Sequence, residues 1–279
     1  MTERRIDNPI LNPPFPMPGR HFRFDEEGIA EDSVGGRRPR GYFPAIPPSK
    51  RRAAAQQELV LQEWTKDRLK ESEFVNQLRE RVDVWRQLGY PHVTGTTRRL
   101  LEYWTDPDRE RKLFFAQVEA LETLTFLAEA AAKEPPGAYF TNELRRLSED
   151  ANPGLLRMAT KMATGTGKTV VMAMILAWQA LNKAANPQDG RFSDAFLVVC
   201  PGITIRDRLR VLRPEDAGNY YRERDLVPPE LTDRLGRAKV VIVNFHKLGL
   251  KAKLKAPKVS KAVLGPKAEA AGVFTETPD

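Results

Sequence analysis

The chain has 279 residues, with 45 Lys and Arg against 37 Asp and Glu, a net charge of +8 and a pI near 9.6. A hydrophobic content of 41% with 29% charged residues fits a soluble globular chain of one large domain or two small ones. Cys200 is the only cysteine; that excludes an internal disulfide and cysteine-built metal sites, and it fits a reducing, cytoplasmic setting. The histidines His21, His92 and His246 lie far apart and lack ligand spacing. The longest apolar stretch, Val170 to Trp178, is too short to span a bilayer. No apolar segment of the signal-peptide kind follows Arg4 and Arg5, so no membrane partner is expected. The basic balance points toward a polyanionic partner, although a merely basic surface accounts for the charge equally well.

Residues 1–52 form a proline-rich arm that reads as poor in regular structure, because proline at this density breaks both helix and sheet. Phe15, Phe22, Phe24, Tyr42 and Phe43 are scattered through it, and disordered segments are usually poor in aromatics. The arm is therefore expected to be extended and partly docked. Its end is basic, with Arg37, Arg38, Arg40, Lys50, Arg51 and Arg52; a solvated linker and a contact to DNA phosphates both fit.

Residues 53–150 read as helical. A long pattern runs from about Gln56 to Leu88, with Phe74, Leu78, Val82 and Trp85 on one face and a stop at Gly89-Tyr90-Pro91. A second helix is expected over Thr96 to Trp104. A third is expected from an N-cap at Asp106, with Pro107 at its first position, to about Lys133. Pro135-Pro136-Gly137 reads as a break, followed by a short helix near Asn142 to Leu147 and a turn at Asn152-Pro153-Gly154.

Residues 151–246 alternate. Leu155 to Lys161 reads as a strand, Met162-Ala-Thr-Gly-Thr-Gly-Lys-Thr169 as a glycine loop, and Val170 to Leu181 as a helix. This is the context of a phosphate-binding loop. Gly165 and Gly167 let backbone N–H groups of the Thr164–Thr169 segment, Thr166 included, converge on phosphate oxygens at a helix N-terminus. Lys168 would reach the terminal phosphates of ATP, and the Thr169 hydroxyl would hold Mg²⁺. The general pattern asks for glycine where Met162 stands, so the loop is a variant; the plainer reading is a glycine turn between strand and helix. Ala195 to Cys200 and Val240 to Val243 read as buried parallel strands, with a helix over Thr204 to Leu212 between them. Three strands with helical crossovers give a parallel sheet whose ligands bind at the strand carboxyl ends. Residues 247–279 are lysine-rich and read as a solvated loop.

The octapeptide, the run from Phe196 to Leu209 and the run from Val240 to His246 together resemble the first motor domain of superfamily 2 helicases. The nearest likeness is to the Res subunit of type III restriction enzymes, carried also by Phe114 to Thr123, Asn219 to Pro228 and His21 to Asp25. The resemblance implies an α/β, RecA-like P-loop NTPase domain after a helical region, with ATP and Mg as cofactors. It implies DNA and a modification (methyltransferase) subunit as partners. It places Gln117 at the adenine edge, which suits an amide with one donor and one acceptor face. Pro201, Gly202 and Thr204 fall where the family holds the DNA backbone, against the plainer reading of a strand-to-helix turn. Asn244 to His246 match a further segment near the DNA track.

The sequence departs from the family in one respect: no Asp-Glu pair follows an apolar run. In the family that pair binds Mg²⁺ and polarises the attacking water. No catalytic residue is therefore assigned within the chain, which is expected to be an N-terminal fragment, inactive by itself, of an ATP-dependent translocase. Two other readings fit: a superfamily 2 repair or remodelling translocase unrelated to restriction, and a non-hydrolysing nucleotide- or DNA-binding protein.

Overall fold

The computed structural model describes residues 10–24, 30–42 and 70–248. In the arm, β1 (Arg20–Phe24) and β2 (Ala30–Gly35) form an antiparallel hairpin, so the arm carries more regular structure than its prolines suggest. The Asn12 carboxamide staples its base by accepting from the amides of Gly19 and Arg20, each at 3.0 Å. β3 (Gly41–Tyr42) pairs with β4 (Lys70–Glu71). Strand therefore occupies positions expected to be helical, and α1 (Glu73–Gln87) begins only after it. The expected helical segment over 56–69 and the basic residues Lys50, Arg51 and Arg52 lie outside the described residues, as does the tail beyond Leu248.

Leu78, Val82 and Trp85 of α1 are buried, as their spacing predicts. Trp85 packs edge-on against Tyr90 at 4.9 Å and Phe126 at 5.5 Å, and its indole N–H donates to the Pro91 carbonyl at 2.9 Å. α2 (Gly95–Thr105) is capped by the Thr94 hydroxyl, which accepts from the Thr97 amide. Asp106 does not start the next helix: its carboxylate closes a turn by accepting from the Asp108 amide at 2.8 Å. α3 (Phe115–Thr125) begins later and continues as a π turn (Phe126–Ala130) and a 3₁₀ turn (Ala131–Lys133). Pro135-Pro136 opens α4 (Pro135–Ala151) instead of closing the preceding helix, since proline is tolerated in a first turn.

α5 (Lys168–Ala185) runs through the middle of the core, with Val171, Met174, Leu176, Trp178 and Leu181 all buried. Buried polar groups fix it sideways. The Glu129 carboxylate accepts from the Thr94 amide, the Thr97 hydroxyl and the Trp178 indole N–H, while the Asn182 amide donates to Thr97 at 2.9 Å. A carboxylate this deep is tolerated because donors on two helices and a loop surround it.

β5 (Ala195–Cys200) and β6 (Lys239–Asn244) pair in parallel, Ala195 opposite Lys239 through Cys200 opposite Asn244. Between them come α6 (Ile203–Arg208) with a 3₁₀ turn (Leu209–Leu212), α7 (Tyr220–Glu223) and α8 (Thr232–Leu235). The fold is α/β with a small parallel sheet. Two expectations change. Residues 155–161 form no strand; Leu155, Leu156 and Met158 are exposed, and no strand among the described residues pairs with them. The strands are also covered on one face only: Cys200, Val240 and Ile242 are buried, while Leu197, Val199 and Val241 are exposed. No helix among the described residues is long and apolar enough to cross a membrane.

Candidate nucleotide site

The glycine loop enters α5 directly. Gly165 and Gly167 take φ of +83° and +79°, values at which a side chain is strained. Gly167 is the N-cap residue of α5, so Lys168 and Thr169 occupy its first turn, where free N–H groups gather. The Thr166 hydroxyl donates to the Ala163 carbonyl at 2.7 Å, and the Lys168 ammonium donates to the carbonyls of Met162 and Ala163 at 3.1 and 2.8 Å. The lysine thus ties the loop to itself through two of the loop's own carbonyls.

Gln117, distant in sequence, is brought to the loop. Its amide NH₂ donates to the Thr166 carbonyl at 3.0 Å, and its carbonyl accepts from the Phe114 amide at 2.9 Å, capping α3. These bonds leave one N–H and one lone pair, the complement an adenine edge requires. Contact is close enough that a Cβ at Gly167 would stand 2.2 Å from the Gln117 amide nitrogen. The glycine therefore serves the loop's turn and the approach of Gln117 together.

A cleft of about 960 Å³ is lined by Gln117, Gly167, Thr169 and Val170 and by Phe15, Tyr220, Glu223 and Arg224, whereas Thr164, Gly165, Thr166 and Lys168 lie outside its lining. Its size lies in the range of small-molecule and cofactor sites. Phe15 comes from the arm. Its ring lies 5.8 Å from that of Phe114, and the adjacent Pro14 carbonyl accepts from the Phe115 amide at 2.9 Å. Arg37 is ion-paired with Glu119 of α3, so this arginine braces the arm instead of facing a phosphate.

The cleft-lining Phe15, Tyr220, Glu223 and Arg224 were not singled out as site residues from sequence. The aromatics in the arm were the available signal for Phe15. A segment near Asn219 was available too, but nothing in its spacing ties it to the loop.

On α3, Glu122 is fully buried and takes a bidentate pair from Arg86 at 2.8 and 2.6 Å and the Tyr90 hydroxyl at 2.7 Å. Burial opposes the Arg86 charge, but the Glu122 carboxylate outweighs it and raises the arginine's pKa. Burial, reinforced by Glu122, raises the Tyr90 phenol as well.

The residues expected at the DNA backbone also sit apart from the cleft lining. Pro201, Gly202 and Thr204 follow β5, and Asn244 ends β6 with Phe245 and His246 after it. The register sets these two strand ends side by side, and the Cys200 thiol donates to the Asn244 side-chain oxygen at 3.3 Å. Pro201 and Thr204 are exposed and Gly202 is half-buried. The helix they open spans six residues. Among the described residues no cluster of His, Cys, Asp and Glu has the makings of a metal site.

A family model for the type III restriction enzyme, res subunit, matches residues 110–263, more than half of the chain. The chain belongs to the type III restriction enzyme Res family. The match begins just before Gln117 and contains the glycine loop, both parallel strands and the segment that carries Tyr220 and Arg224. It makes this a RecA-like, helicase-type motor region, from a superfamily of ATP-dependent hydrolases whose Res members act with DNA and a methyltransferase subunit. No curated protein and no solved structure matches the chain.

Proposed function

We propose that the chain is the ATP-binding portion of a type III restriction motor. The triphosphate sits in the loop Thr164, Gly165, Thr166, Gly167, Lys168 and Thr169, and Gln117 reads the adenine. The observation that carries this reading is the placement of Gln117 against the loop, with an amide donor and acceptor to spare, beside a cleft of about 960 Å³. The residues fit the groups. Two left-handed glycines shape the loop, Lys168 supplies a positive charge within it, and Thr169 lines the cleft beside Gln117. Mg²⁺ in such sites is held by few protein oxygens and largely by the phosphates themselves, so Thr169 suffices as its ligand from this loop. When bound, Mg²⁺ neutralises phosphate charge.

Pro201, Gly202 and Thr204, exposed or half-buried beside the end of β6, are assigned to the DNA backbone; amides and hydroxyls at such a turn position a phosphate without reading sequence. The basic balance of the chain favours that partner, and the methyltransferase subunit is proposed as the second. No Asp-Glu pair follows an apolar run in the sequence. These residues therefore bind ATP without the acid that polarises the attacking water. As in the family, ATP hydrolysis would drive movement on DNA.

The test is equilibrium binding of a fluorescent ATP analogue with Mg²⁺, wild type beside Lys168→Ala. Binding by the wild type that is lost in the variant is expected, because the point charge on the phosphates is removed. Equal affinity in the two proteins would overturn the reading.

A further inference from the structure

Gln117 covers only the edge of a base, and hydrogen bonds to an edge add little net affinity in water. The flat faces of a base need something to stack on. Tyr220 lines the same cleft as Gln117, Gly167 and Thr169, with the Arg224 guanidinium over its ring at 5.4 Å, and Arg224 lines the cleft too. An aromatic ring and a guanidinium plane are the two side-chain surfaces that stack on nucleobases.

This pair is braced from behind. The turn that carries Arg224 includes Asp225, a non-glycine residue at φ +53°, a conformation that persists only when its surroundings hold it. Three side chains from the end of α2 and the following loop do so. Arg109, buried, donates to the carbonyls of Arg224 at 3.2 Å and of Asp225, and stacks on Tyr103 at 4.8 Å. The Tyr103 hydroxyl donates to the Asp225 carboxylate at 2.5 Å. The Trp104 indole donates to the Leu226 carbonyl at 2.8 Å. Burial, with the Asp225 carboxylate alongside, pushes the Tyr103 phenol up to about 12, so this donor keeps its proton throughout the neutral range. A buried arginine spent on main-chain carbonyls is a costly way to hold a surface turn. It gives the turn a fixed position relative to α2, and through α2 relative to α5.

We propose that Tyr220 and Arg224 form the stacking wall of the nucleotide cleft, taking the face of the base whose edge Gln117 reads, and that Arg109 is the positioning residue for that wall. The inference rests on the nucleotide reading above. It adds a division of labour: the wall supplies base-general affinity for purine nucleoside triphosphates, and Gln117 supplies the preference for adenine.

Affinities for ATP, GTP and inorganic tripolyphosphate, each with Mg²⁺, separate these roles in the full chain. Tyr220→Ala and Arg224→Ala are each expected to weaken ATP and GTP by the same factor, about ten-fold for a stacking contact, while tripolyphosphate affinity is unchanged. Gln117→Ala is expected to weaken ATP more than GTP. Tyr103→Phe, a mild change that removes the bond to Asp225, is expected to move nucleotide affinity in the direction of Arg224→Ala without touching tripolyphosphate. A loss of stability alone would not produce that split. ATP binding that depends on Lys168 but is unchanged in the Tyr220→Ala/Arg224→Ala double variant overturns the wall and leaves the nucleotide reading standing. Absence of ATP binding in the wild type overturns both.

Discussion

The helical region and the stretch leading into the phosphate loop treat their side chains in opposite ways. From α1 to α4 the core-facing apolar side chains are buried, although Val84, Tyr139 and Leu147 are exposed, and the two most deeply buried carboxylates are consumed internally: Glu122 by Arg86 and Tyr90, Glu129 by Thr94, Thr97 and Trp178. From Leu155 to Thr166 the chain exposes Leu155, Leu156 and Met158, and the adjacent sheet exposes Leu197, Val199 and Val241. The first region spends its chemistry on rigidity. The second keeps apolar surface and backbone groups in hand, and the nucleotide cleft lies where the two meet, with Gln117 from one bonded to Thr166 of the other. The proposed nucleotide site would need a fixed base reader and a loop that can change partners, and this division fits both.

The contrast is easiest to break at Glu122. Glu122→Ala strands a partly buried guanidinium and a phenol, and truncating one member of such a pair typically costs about 3–5 kcal/mol. For a domain of this size that corresponds to a fall in melting temperature of about 6–20 °C, read by calorimetry. A loss under about 1 kcal/mol would mean that Arg86 and Tyr90 find other partners, and that the helical region is less committed than its hydrogen bonds indicate.

The opposite end of the contrast is the open sheet face. Leu197→Thr and Val241→Thr remove apolar groups that are 60% and 53% exposed, and each is expected to change stability by no more than about 0.5 kcal/mol. A cost near 2 kcal/mol in either would show that this face is covered in solution, and the comparison would then have to be redrawn.

The sequence made some of this architecture legible and obscured the rest for identifiable reasons. The run from Ala195 to Cys200 gave its strand to the residue, because an apolar run bounded by Asp194 and Pro201 has few alternatives. Its expected burial on both faces came from the same run, and that pattern cannot say which neighbours are present. The strand over 155–161 did not form, since a strand needs a partner to bond with, and pairing is not a local property. Asp106-Pro107 and Pro135-Pro136 misled in complementary ways. Asp-Pro serves a turn as well as a helix start, and proline can open a helix as readily as follow one.

At the candidate site, the turn of the loop and its entry into a helix were legible because Gly165 and Gly167 sit where the backbone takes positive φ. Gln117 was legible only through family likeness. The proposed wall of Tyr220 and Arg224 leaves no local pattern, because its turn is held by Arg109 and Tyr103 from across the fold.

The central claim is that Gln117 and the loop of residues 164–169 are two ends of one nucleotide site. A crystal structure of the chain with Mg²⁺ and a non-hydrolysable ATP analogue tests it most directly. The account predicts a triphosphate in the loop at the start of α5, the Lys168 ammonium moved from the Met162 and Ala163 carbonyls onto phosphate oxygens, and the adenine edge against Gln117. A nucleotide bound elsewhere, or Lys168 still bonded to those two carbonyls with the nucleotide in place, would contradict it.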